Sequence, residues 1–478
     1  MSAGPPTNTA TTKGRATFDR DLIDGPLLPA VWRIAWPTML QNLIGGLQGV
    51  IDHAMVGHYV GYAGNAAIGI SLQIYLVVIA FISSLFIGMS VLVARFAGAG
   101  DEDRVNRTVL QAFLVAVALS IGVLAPVGYF AAPTLLQLVN AAPNVQVEAL
   151  PYLRIMFLFG MGMLLFYMVG GALRSAGDAR TPLRLGIIVT VANIVLNVIL
   201  IRGLGPIPAF GTTGAAMGTA LATGAVGVYA GLKLWRGGWV VRFPRGDGVR
   251  LEWDIILALF RFGLPSGVQG VAMNLGGAMM LGFVGSLALS GQAQAAYAVS
   301  YTELFAFITW TSAGLTGAVA TVAGQSLGSG NPDRAARSAF EAARIAVAGA
   351  AAIGLLFLFI PRTLLGLFGM TDPVVLELGA QLLRYLSVSG IFIAVGLTYT
   401  GGLQGTGDTR SPLYISLVSQ LAIPLGICFF IQRFSTLEPS DIWRAIVAGH
   451  ITRCVLSVWR FTQGKWRSIE VHVGAARR

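Results

Sequence analysis

Residues 98–107 read GAGDEDRVNR, and residues 328–337 read GSGNPDRAAR. Both stretches place two glycines, one aspartate and two arginines at the same spacing. A second pair, GDARTPL at 177–183 and GDTRSPL at 407–413, recurs at the offset that separates the first pair. RIAWP at 33–37 returns as RFGLP at 261–265, at an offset only slightly shorter. The chain is therefore an internal duplication.

The composition excludes a soluble protein. Of the 478 residues, 55% are hydrophobic and 11% are charged, whereas about 25% are charged in an ordinary soluble domain. The mean hydropathy is +0.73, and the 61 glycines are typical of closely packed helices in a membrane. With only two cysteines, both in apolar runs, the chain is neither a disulfide scaffold nor a cysteine metal site.

Apolar stretches of about 20 or more residues, each long enough to cross a bilayer, follow one another along the chain. We predict twelve spans, at 33–57, 66–95, 107–131, 149–172, 182–203, 213–236, 255–286, 295–325, 336–360, 375–402, 412–433 and 441–461. Each repeat then holds six spans, so both halves enter the membrane in the same direction. The predicted fold is an all-α polytopic membrane protein, with two parallel six-helix repeats around a central cavity.

Charge predicts the orientation. Most of the 32 Lys and Arg residues fall at the ends and loops that share a side with both termini, which the positive-inside rule assigns to the cytoplasm. We expect a multi-pass protein of the inner or plasma membrane, in contact with its lipids. The first apolar run is long and lacks a cleavage pattern, which disfavours a secretory signal. The predicted organisation is a disordered tail (1–30), a lobe (31–240), a linker (241–254), a lobe (255–461) and a basic cytoplasmic tail (462–478).

The GAGDEDR loop has a structural interpretation. It resembles a phosphate-binding loop, but it lacks the lysine and the preceding strand that such a loop requires. We expect the glycines to end the second span and Asp101 or Asp103 to cap the third. The GDxRxP stretches are likewise expected to act as helix breakers and caps.

Several motifs resemble one known family in order and spacing. They are Pro37 followed by DHAMVG (52–57), AR (94–95) before GAG (98–100), LRSAGD (173–178), VAGQSLG (322–328) and WRFTQGKWR (459–467). Over about residues 30–470 the chain resembles the multidrug and toxic compound extrusion (MATE) family, most closely its DinF-like branch. The resemblance implies a cation-coupled exporter that exchanges H⁺ or Na⁺ for organic, often cationic, substrates.

Asp52 is the first acid inside a span. It lies 19 residues beyond Arg33, about 28 Å along a helix, and Gln41, Gly45 and Gln48 share its face. Such a polar stripe should face a cavity, because exposing it to lipid is costly. A carboxyl group removed from water holds a proton more readily. Asp52 also matches the family's first-helix aspartate, so we predict a cation-coupling site; a structural role is the alternative.

Asn193 and Asn197 share one face of the fifth span, and we place both in the coupling site with Gln48 and Thr219. Relatives in the branch can carry an aspartate where Asn197 stands. A single carboxylate among amides and hydroxyls favours H⁺ over a dehydrated Na⁺ ion, which stays the alternative. Simple hydrogen bonding between helices is an alternative role for the two asparagines.

Glu303 is the second acid, about 13 Å into the eighth span. Phe307 and Trp310 share its face, and a carboxylate with aromatic rings suits an organic cation. Glu303 also matches an eighth-helix glutamate of eukaryotic-type relatives. We predict a substrate site of these three residues with Asn274 and Tyr399; an ion pair with Arg384 is the alternative for Glu303.

The remaining ionisable residues inside the spans are expected to have structural roles. Arg154 and Arg384 correspond in the two halves, and a lone membrane histidine such as His450 is more often packed than proton-transferring. Motifs for soluble enzyme chemistry, ATP binding and metal binding are not found, so we expect no enzyme, no metal and no cofactor beyond the coupling ion.

The leading prediction is a monomeric antiporter of amphipathic organic cations, with no nucleic-acid partner, whose lobes rock around the cavity. A flippase for a lipid-linked precursor is the alternative, and it would need several Lys or Arg residues along the cavity. A membrane-embedded enzyme would need clustered acids at one face, for which Asp101, Glu102 and Asp103 are the candidates.

Overall fold

The chain folds into a bundle of long helices. A computed structural model describes residues 18–244 and 250–471. The α-helices are α1 (Asp21–Asp24), α2 (Leu27–Tyr59), α3 (Tyr62–Gly98), α4 (Glu102–Leu119), α5 (Ala125–Leu138), α6 (Pro143–Leu158), α7 (Met161–Ser175), α8 (Arg180–Arg202), α9 (Gly211–Arg236), α10 (Trp253–Gly285), α11 (Ser290–Tyr297), α12 (Ala306–Gly328), α13 (Pro332–Phe359), α14 (Pro361–Leu367), α15 (Pro373–Gly405), α16 (Arg410–Ser416), α17 (Ile423–Phe434) and α18 (Pro439–Thr462).

Every predicted span coincides with one helix or with a pair of consecutive helices. Nine helical segments of the described chain are long and apolar enough to cross a membrane, and the bent pair α6–α7 makes a tenth. The two other spans are α2, which carries the polar stripe with Asp52, and α18, which carries several charges. The predicted all-α polytopic fold is confirmed.

Three spans contain a π-helical segment that joins two α-helices. The segments are Ser120–Leu124 between α4 and α5, Ala298–Leu304 between α11 and α12, and Leu417–Ala422 between α16 and α17. A π-turn holds more residues than an α-turn, so the side chains beyond it rotate relative to a continuous helix. The fourth span bends instead, by 51° between α6 and α7.

The duplicated turns have the predicted structural role. Gly100 and Gly330 follow α3 and α12 with φ of +74° and +79°, in the left-handed region that favours glycine. Asp101 accepts a hydrogen bond from the Arg104 backbone N–H at 3.0 Å and caps α4, as Asn331 does for α13. The repeated sequence therefore ends one helix and begins the next in the same way in both halves.

The described chain has two large hydrophobic cores, one in each half. Most of the first core comes from α3 to α9, but it also contains residues 255–262 at the start of α10. Most of the second comes from α10 to α18, but it also contains α1 and residues 30–35 at the start of α2. The first helix of each half thus begins in the core of the opposite half. The lobe boundaries of 31–240 and 255–461 stay a prediction.

The N-terminal tail differs from the prediction. Disorder was expected over residues 1–30, but residues 21–24 form α1, α2 begins at Leu27, and Leu22 is fully buried. The Leu22 carbonyl accepts hydrogen bonds from the Arg334 guanidinium at 2.9 and 3.3 Å. The expectation is wrong for residues 18–30, because Leu22 supplies apolar contact and an acceptor for a buried cation. Residues 1–17 lie outside the described residues.

The C-terminal tail also packs on the bundle. Residues Lys465–Ser468 form a 3₁₀ turn in which the Trp466 side chain is buried and donates to the Phe461 carbonyl at 2.8 Å. Residues 472–478 of the predicted tail and 245–249 of the predicted linker lie outside the described residues. The tail therefore continues the fold for several residues beyond α18.

The two halves meet on the side of the bundle that carries the chain ends. There α3 crosses α10 and α12 crosses α2 so closely that a Cβ at Gly88, Gly263 or Gly314 would collide with backbone atoms of the opposite half. In the described chain, the glycine crossings and hydrogen bonds between halves reach only to about the middle of these helices, where Gly46 meets Trp310. The structure is thus closed at the termini-bearing face, and among the described residues the glycine crossings and hydrogen bonds between the lobes end before the opposite face.

Candidate functional site

Asp52 lies on α2 and points at α8. The Asn197 side-chain nitrogen donates to Asp52 Oδ1 at 2.8 Å, and Asn197 is fully buried. No Lys, Arg or His nitrogen lies within 4.0 Å of the Asp52 carboxylate in the described parts of the chain. An amide dipole and not a counter-ion therefore holds this carboxylate.

Asn193 lies one turn before Asn197 and joins the same cluster. The hydrogen-bond pattern assigns its amide nitrogen toward Asp52, where it donates to Oδ1 at 3.0 Å. In that orientation its amide oxygen accepts from the Thr219 hydroxyl at 3.0 Å. Asp52 Oδ1 then receives two N–H donors from a single face of α8, while α9 supplies the next hydrogen-bonding group through Thr219.

Gln48 extends the cluster by one turn of α2. Its side-chain oxygen accepts a hydrogen bond from the Thr190 hydroxyl at 2.7 Å. All five residues predicted for the coupling site therefore lie together, at the junction of α2, α8 and α9. Their role in coupling stays a prediction.

Two residues of this region were missed in the sequence. Thr190 holds Gln48, and Gly218 lets α9 approach α8, because a Cβ there would collide with Asn197 Oδ1. The spacing of Thr190 and Asn197, two helical turns apart, was a usable signal, since it places both on one face of α8.

The site has a limited capacity for a metal ion. No group of three or more His, Cys, Asp and Glu side chains suited to a metal occurs among residues 18–244 and 250–471. One carboxylate, three amides and hydroxyls remain, and Asn197 Oδ1 is buried against Gly218 of α9 without a donor in the described structure. The cluster can hold a proton on Asp52.

Glu303 lies at the end of the π-helical segment between α11 and α12 and is half-buried. Its carboxylate has neither an ion-pair partner nor a hydrogen bond among the described residues, so the alternative pairing with Arg384 is absent there. A half-buried carboxylate without a partner is free to contact a ligand. The structure therefore favours neither a structural pair nor a packing role for Glu303.

Phe307 and Trp310 contact each other, with ring centroids 5.6 Å apart. The Trp310 indole packs on Gly46 of α2, and the Trp310 carbonyl accepts from the Asn42 side chain at 3.3 Å. Trp310 therefore lies at the last contact between the halves, at the bottom of the space between them. This position would put both rings in reach of a molecule that enters from the face opposite the termini.

Asn274 and Tyr399 differ in their placement. Asn274 is exposed on α10 and bonds the Gly270 carbonyl of its own helix. Tyr399 is buried, packs edge-on against Phe461 with centroids 5.4 Å apart, and lies close to the end of α15. The Thr316 hydroxyl of α12 donates to the Leu397 carbonyl of α15 at 3.0 Å, so Tyr399 is level with about Thr316, roughly 20 Å along the bundle from Glu303. The structure does not bring Tyr399 together with Glu303.

His450 is packed, as the sequence favoured. Its Nδ1 lies 3.2 Å from the Ser389 hydroxyl, and its ring stacks on Phe305 with centroids 5.5 Å apart and planes at 8°. Tyr301 and Tyr297 continue this stack toward Trp443. The aromatic column fills the centre of the second half and was not foreseen.

The three acids considered for a membrane enzyme each have a hydrogen-bond or ion-pair partner. Asp101 caps α4, the Glu102 carboxylate lies 2.8 Å from the Arg242 guanidinium, and the Asp103 carboxylate lies 2.9 Å from Arg107. These separate pairings do not create a shared metal site. The trio belongs to the structural turns at the termini-bearing face.

Comparisons with known proteins agree with this architecture. The MatE family model matches residues 37–199 and 265–429, one match in each half. The "Probable multidrug resistance protein NorM" of Thermotoga maritima is 26% identical, over 91% of this chain and 92% of that protein. The "Multidrug resistance protein MdtK" of Pectobacterium atrosepticum is 27% identical, over 89% and 93% respectively.

Solved structures share the fold. A MATE family transporter of the MOP superfamily in an outward-facing conformation superposes with a TM-score of 0.88 at 20% identity, covering 96% of this chain and all of that one. A MOP superfamily transporter from Pyrococcus furiosus gives 0.87 at 21% identity, with the same coverage. These matches do not distinguish the DinF-like branch, which stays a prediction. With both halves matched by the family model, the chain belongs to the MatE family and is a multi-pass membrane transporter, not an enzyme.

Proposed function

We propose that this transporter exports amphipathic organic compounds, preferentially cationic ones, in exchange for protons. The observation that carries the proposal is Asp52, a membrane-embedded carboxylate that two neutral amides hold and no cation neutralises among the described residues. Removal from water disfavours the charged form of a carboxylic acid, so an acid in this setting takes up a proton more readily. The relatives named for multidrug resistance support small organic substrates.

The proposed cycle uses alternating access. The halves close at the termini-bearing face, and the positive-inside rule predicts that this face is cytoplasmic, so the cleft would open outward. Proton uptake by Asp52 would weaken its bonds to Asn193 and Asn197, because a neutral acid attracts N–H donors less strongly. The packing of α2 on α8 then changes and substrate is released. Return of the proton on the cytoplasmic side resets the site.

In this proposal, residues of the second half bind the substrate. Glu303 offers an unneutralised carboxylate, and Phe307 and Trp310 offer ring faces near the bottom of the cleft. Charge combined with aromatic surface attracts a lipophilic cation. A monomer is sufficient for this cycle, because both halves of the cleft belong to one chain.

Na⁺ is the second candidate for the coupling ion. One observation favours it: amide and hydroxyl oxygens of Gln48 and Thr219 lie in the same cluster as the Asp52 carboxylate. A carboxylate and an amide oxygen can both bind a hard cation. The number of such oxygens is small for a dehydrated metal ion, so the proton is preferred.

The test is transport in proteoliposomes under separately imposed gradients of pH and Na⁺. We expect a pH gradient alone to drive uptake of a lipophilic cation, and a Na⁺ gradient at equal pH on both sides to drive none. Uptake with Na⁺ alone would replace the proton by sodium. Movement of an anionic lipid-linked precursor analogue, with none of the cation, would instead support the flippase alternative.

A further inference from the structure

Arg95 near the end of α3 spans the junction between the halves. One terminal guanidinium nitrogen donates to the Thr406 carbonyl at 3.0 Å and to the Ile469 carbonyl at 2.8 Å. Thr406 ends α15, and Ile469 belongs to the segment after the 3₁₀ turn, so both acceptors are in the second half. No carboxylate lies within 4.0 Å of Arg95 in the described residues. This arginine therefore joins the halves through neutral acceptors.

The second half makes a related contact in the opposite direction. The Gln325 side-chain nitrogen donates to the Ser175 carbonyl at 2.7 Å, and Ser175 is the last residue of α7. Gln325 is the counterpart of Arg95 in the second repeat, since both stand at the same distance before the duplicated glycine turn. In both contacts a side chain near the end of one helix reaches the C-terminal end of a helix across the junction.

The backbones obey the same approximate two-fold symmetry. A Cβ at Gly98 would collide with the Gln325 carbonyl oxygen, and a Cβ at Gly328 would collide with the Arg95 carbonyl oxygen. These two glycines are also counterparts in the repeat, because each opens its copy of the duplicated turn. The ends of α3 and α12 thus cross at the centre of the termini-bearing face, and their side chains reach outward from that crossing.

The two symmetry-related contacts differ in the charge of their donors. The first half contributes a cation and the second a neutral amide, although the carbonyls at both helix ends carry partial negative charge. A hydrogen bond from a charged donor is stronger than one between neutral groups. The Arg95 contact is therefore expected to contribute most of the polar attraction that holds this face closed. Carbonyl acceptors also suit a contact that must break in every cycle, since no buried carboxylate is left behind.

We propose that Arg95 and Gln325 form a two-part latch that closes the termini-bearing face, with Arg95 setting the equilibrium between the closed and open states of that face. The latch rests on the proposed alternating access and names the residues that bias it. Substrate and coupling ion would act at Glu303 and Asp52, more than half a helix length away, and would shift this equilibrium from there.

The latch can be tested without substrate or gradient. Nitroxide labels at Arg180→Cys and Ser329→Cys, both exposed at this face in opposite halves, report their separation in a background with Cys428→Ser and Cys454→Ser. In the purified full-length protein we expect Arg95→Gln to raise the ratio of the long-distance to the short-distance population about tenfold, in line with loss of a charged donor to two carbonyls.

Arg104→Gln is the matched control, because Arg104 lies on the same face but pairs with Asp101 of its own half. We expect its distance distribution to match the parent protein. An unchanged ratio in Arg95→Gln would overturn the latch, and so would an equal shift in both variants, since net charge and not the contact would then be responsible.

Gln325→Leu removes the related half of the latch and is the second variant if Arg95→Gln does not fold. It should shift the ratio in the same direction by a smaller factor, and no shift would overturn the proposal. Because the measurement needs neither proton nor substrate, its failure leaves the proposed transport function standing. A wrong coupling ion would likewise leave the latch standing.

Discussion

The two acids of the membrane interior occupy different environments. In the first half, two side-chain amides of α8 hold Asp52 by hydrogen bonds, and α9 joins the cluster through Thr219. In the second half, Glu303 has no bonded partner among the described residues and sits on a π-helical segment. By the offset that relates Pro37 to Pro265, the counterpart of Asp52 is Met280, a buried apolar residue. Duplication thus preserved the turns and crossings, while the chemistry of the two halves diverged.

This difference suggests a division of labour. A carboxylate enclosed by fixed dipoles is suited to hold and release a small ion, because its surroundings change little when a substrate changes. A carboxylate without partners is suited to meet varied molecules. Each of the following predictions either strengthens or breaks that contrast.

Asp52→Asn should have the largest effect. The substitution keeps the shape but removes the titratable group, so pH-driven export should fall to the background of empty liposomes while the protein still inserts and folds. Proteoliposome transport together with a thermal-unfolding midpoint near that of the parent measures both. Undiminished pH-driven export by the variant would remove Asp52 from the coupling step.

Asn197→Leu should have the next largest effect. It removes the donor to Asp52 and leaves a buried carboxylate short of one partner, at a cost of about 1–3 kcal/mol. We expect coupled transport to fall about tenfold and its pH dependence to shift toward higher pH, since the charged form of Asp52 loses support. Gln146→Leu is the control, because Gln146 of α6 bonds only the Ala141 carbonyl five residues before it. Similar losses in the two variants would contradict a specific role for the Asn197 amide.

Glu303→Gln should affect binding more than coupling. Loss of one partly desolvated charge contact with aromatic support should weaken cationic substrates by about 1–2 kcal/mol, roughly 5- to 30-fold. Neutral substrates of similar size should change much less. Binding of such a matched pair to purified protein, for example by quenching of tryptophan fluorescence, provides the measurement. Equal weakening of both members would break the division of labour.

Tyr399→Phe should have the smallest effect. Tyr399 packs on Phe461 near the termini-bearing end, far in level from Glu303. We expect substrate affinity to change less than twofold, because the ring contact remains after loss of the hydroxyl. The same binding assay applies, and a change as large as that of Glu303→Gln would return Tyr399 to the substrate site.

Much of the first-half site could be predicted from the sequence. Gln48 and Asp52 share a face of α2, and Asn193 and Asn197 share a face of α8, so helical spacing alone aligned each pair. Thr190 lay within reach of the same reasoning. Gly218 did not, because a glycine in a glycine-rich helix gives no sign that an amide oxygen of another helix occupies the space of its Cβ.

The second-half site was predicted less well, for a geometric reason. The grouping of Glu303 with Phe307 and Trp310 rests on helical spacing, whereas Ala298–Leu304 is π-helical and changes the angular relation of residues on its two sides. Tyr399 was added to that group without knowledge of its level in the bundle. Hydropathy patterns encode neither the angle nor the height.

The sequence by itself determined the helical spans, the duplication, the capped turns and the identity of the acids inside the membrane. It could do so because a bilayer requires long apolar segments whose backbone bonds are internal, and because turns need glycines and capping side chains at fixed positions. Only the tertiary structure decided which buried polar groups meet. Asn197 reaches Asp52 across 145 residues, and Arg95 reaches Ile469 across 374. Such contacts depend on the rotation and register of packed helices, and changes of a few ångströms there leave the apolar pattern of the sequence unaltered.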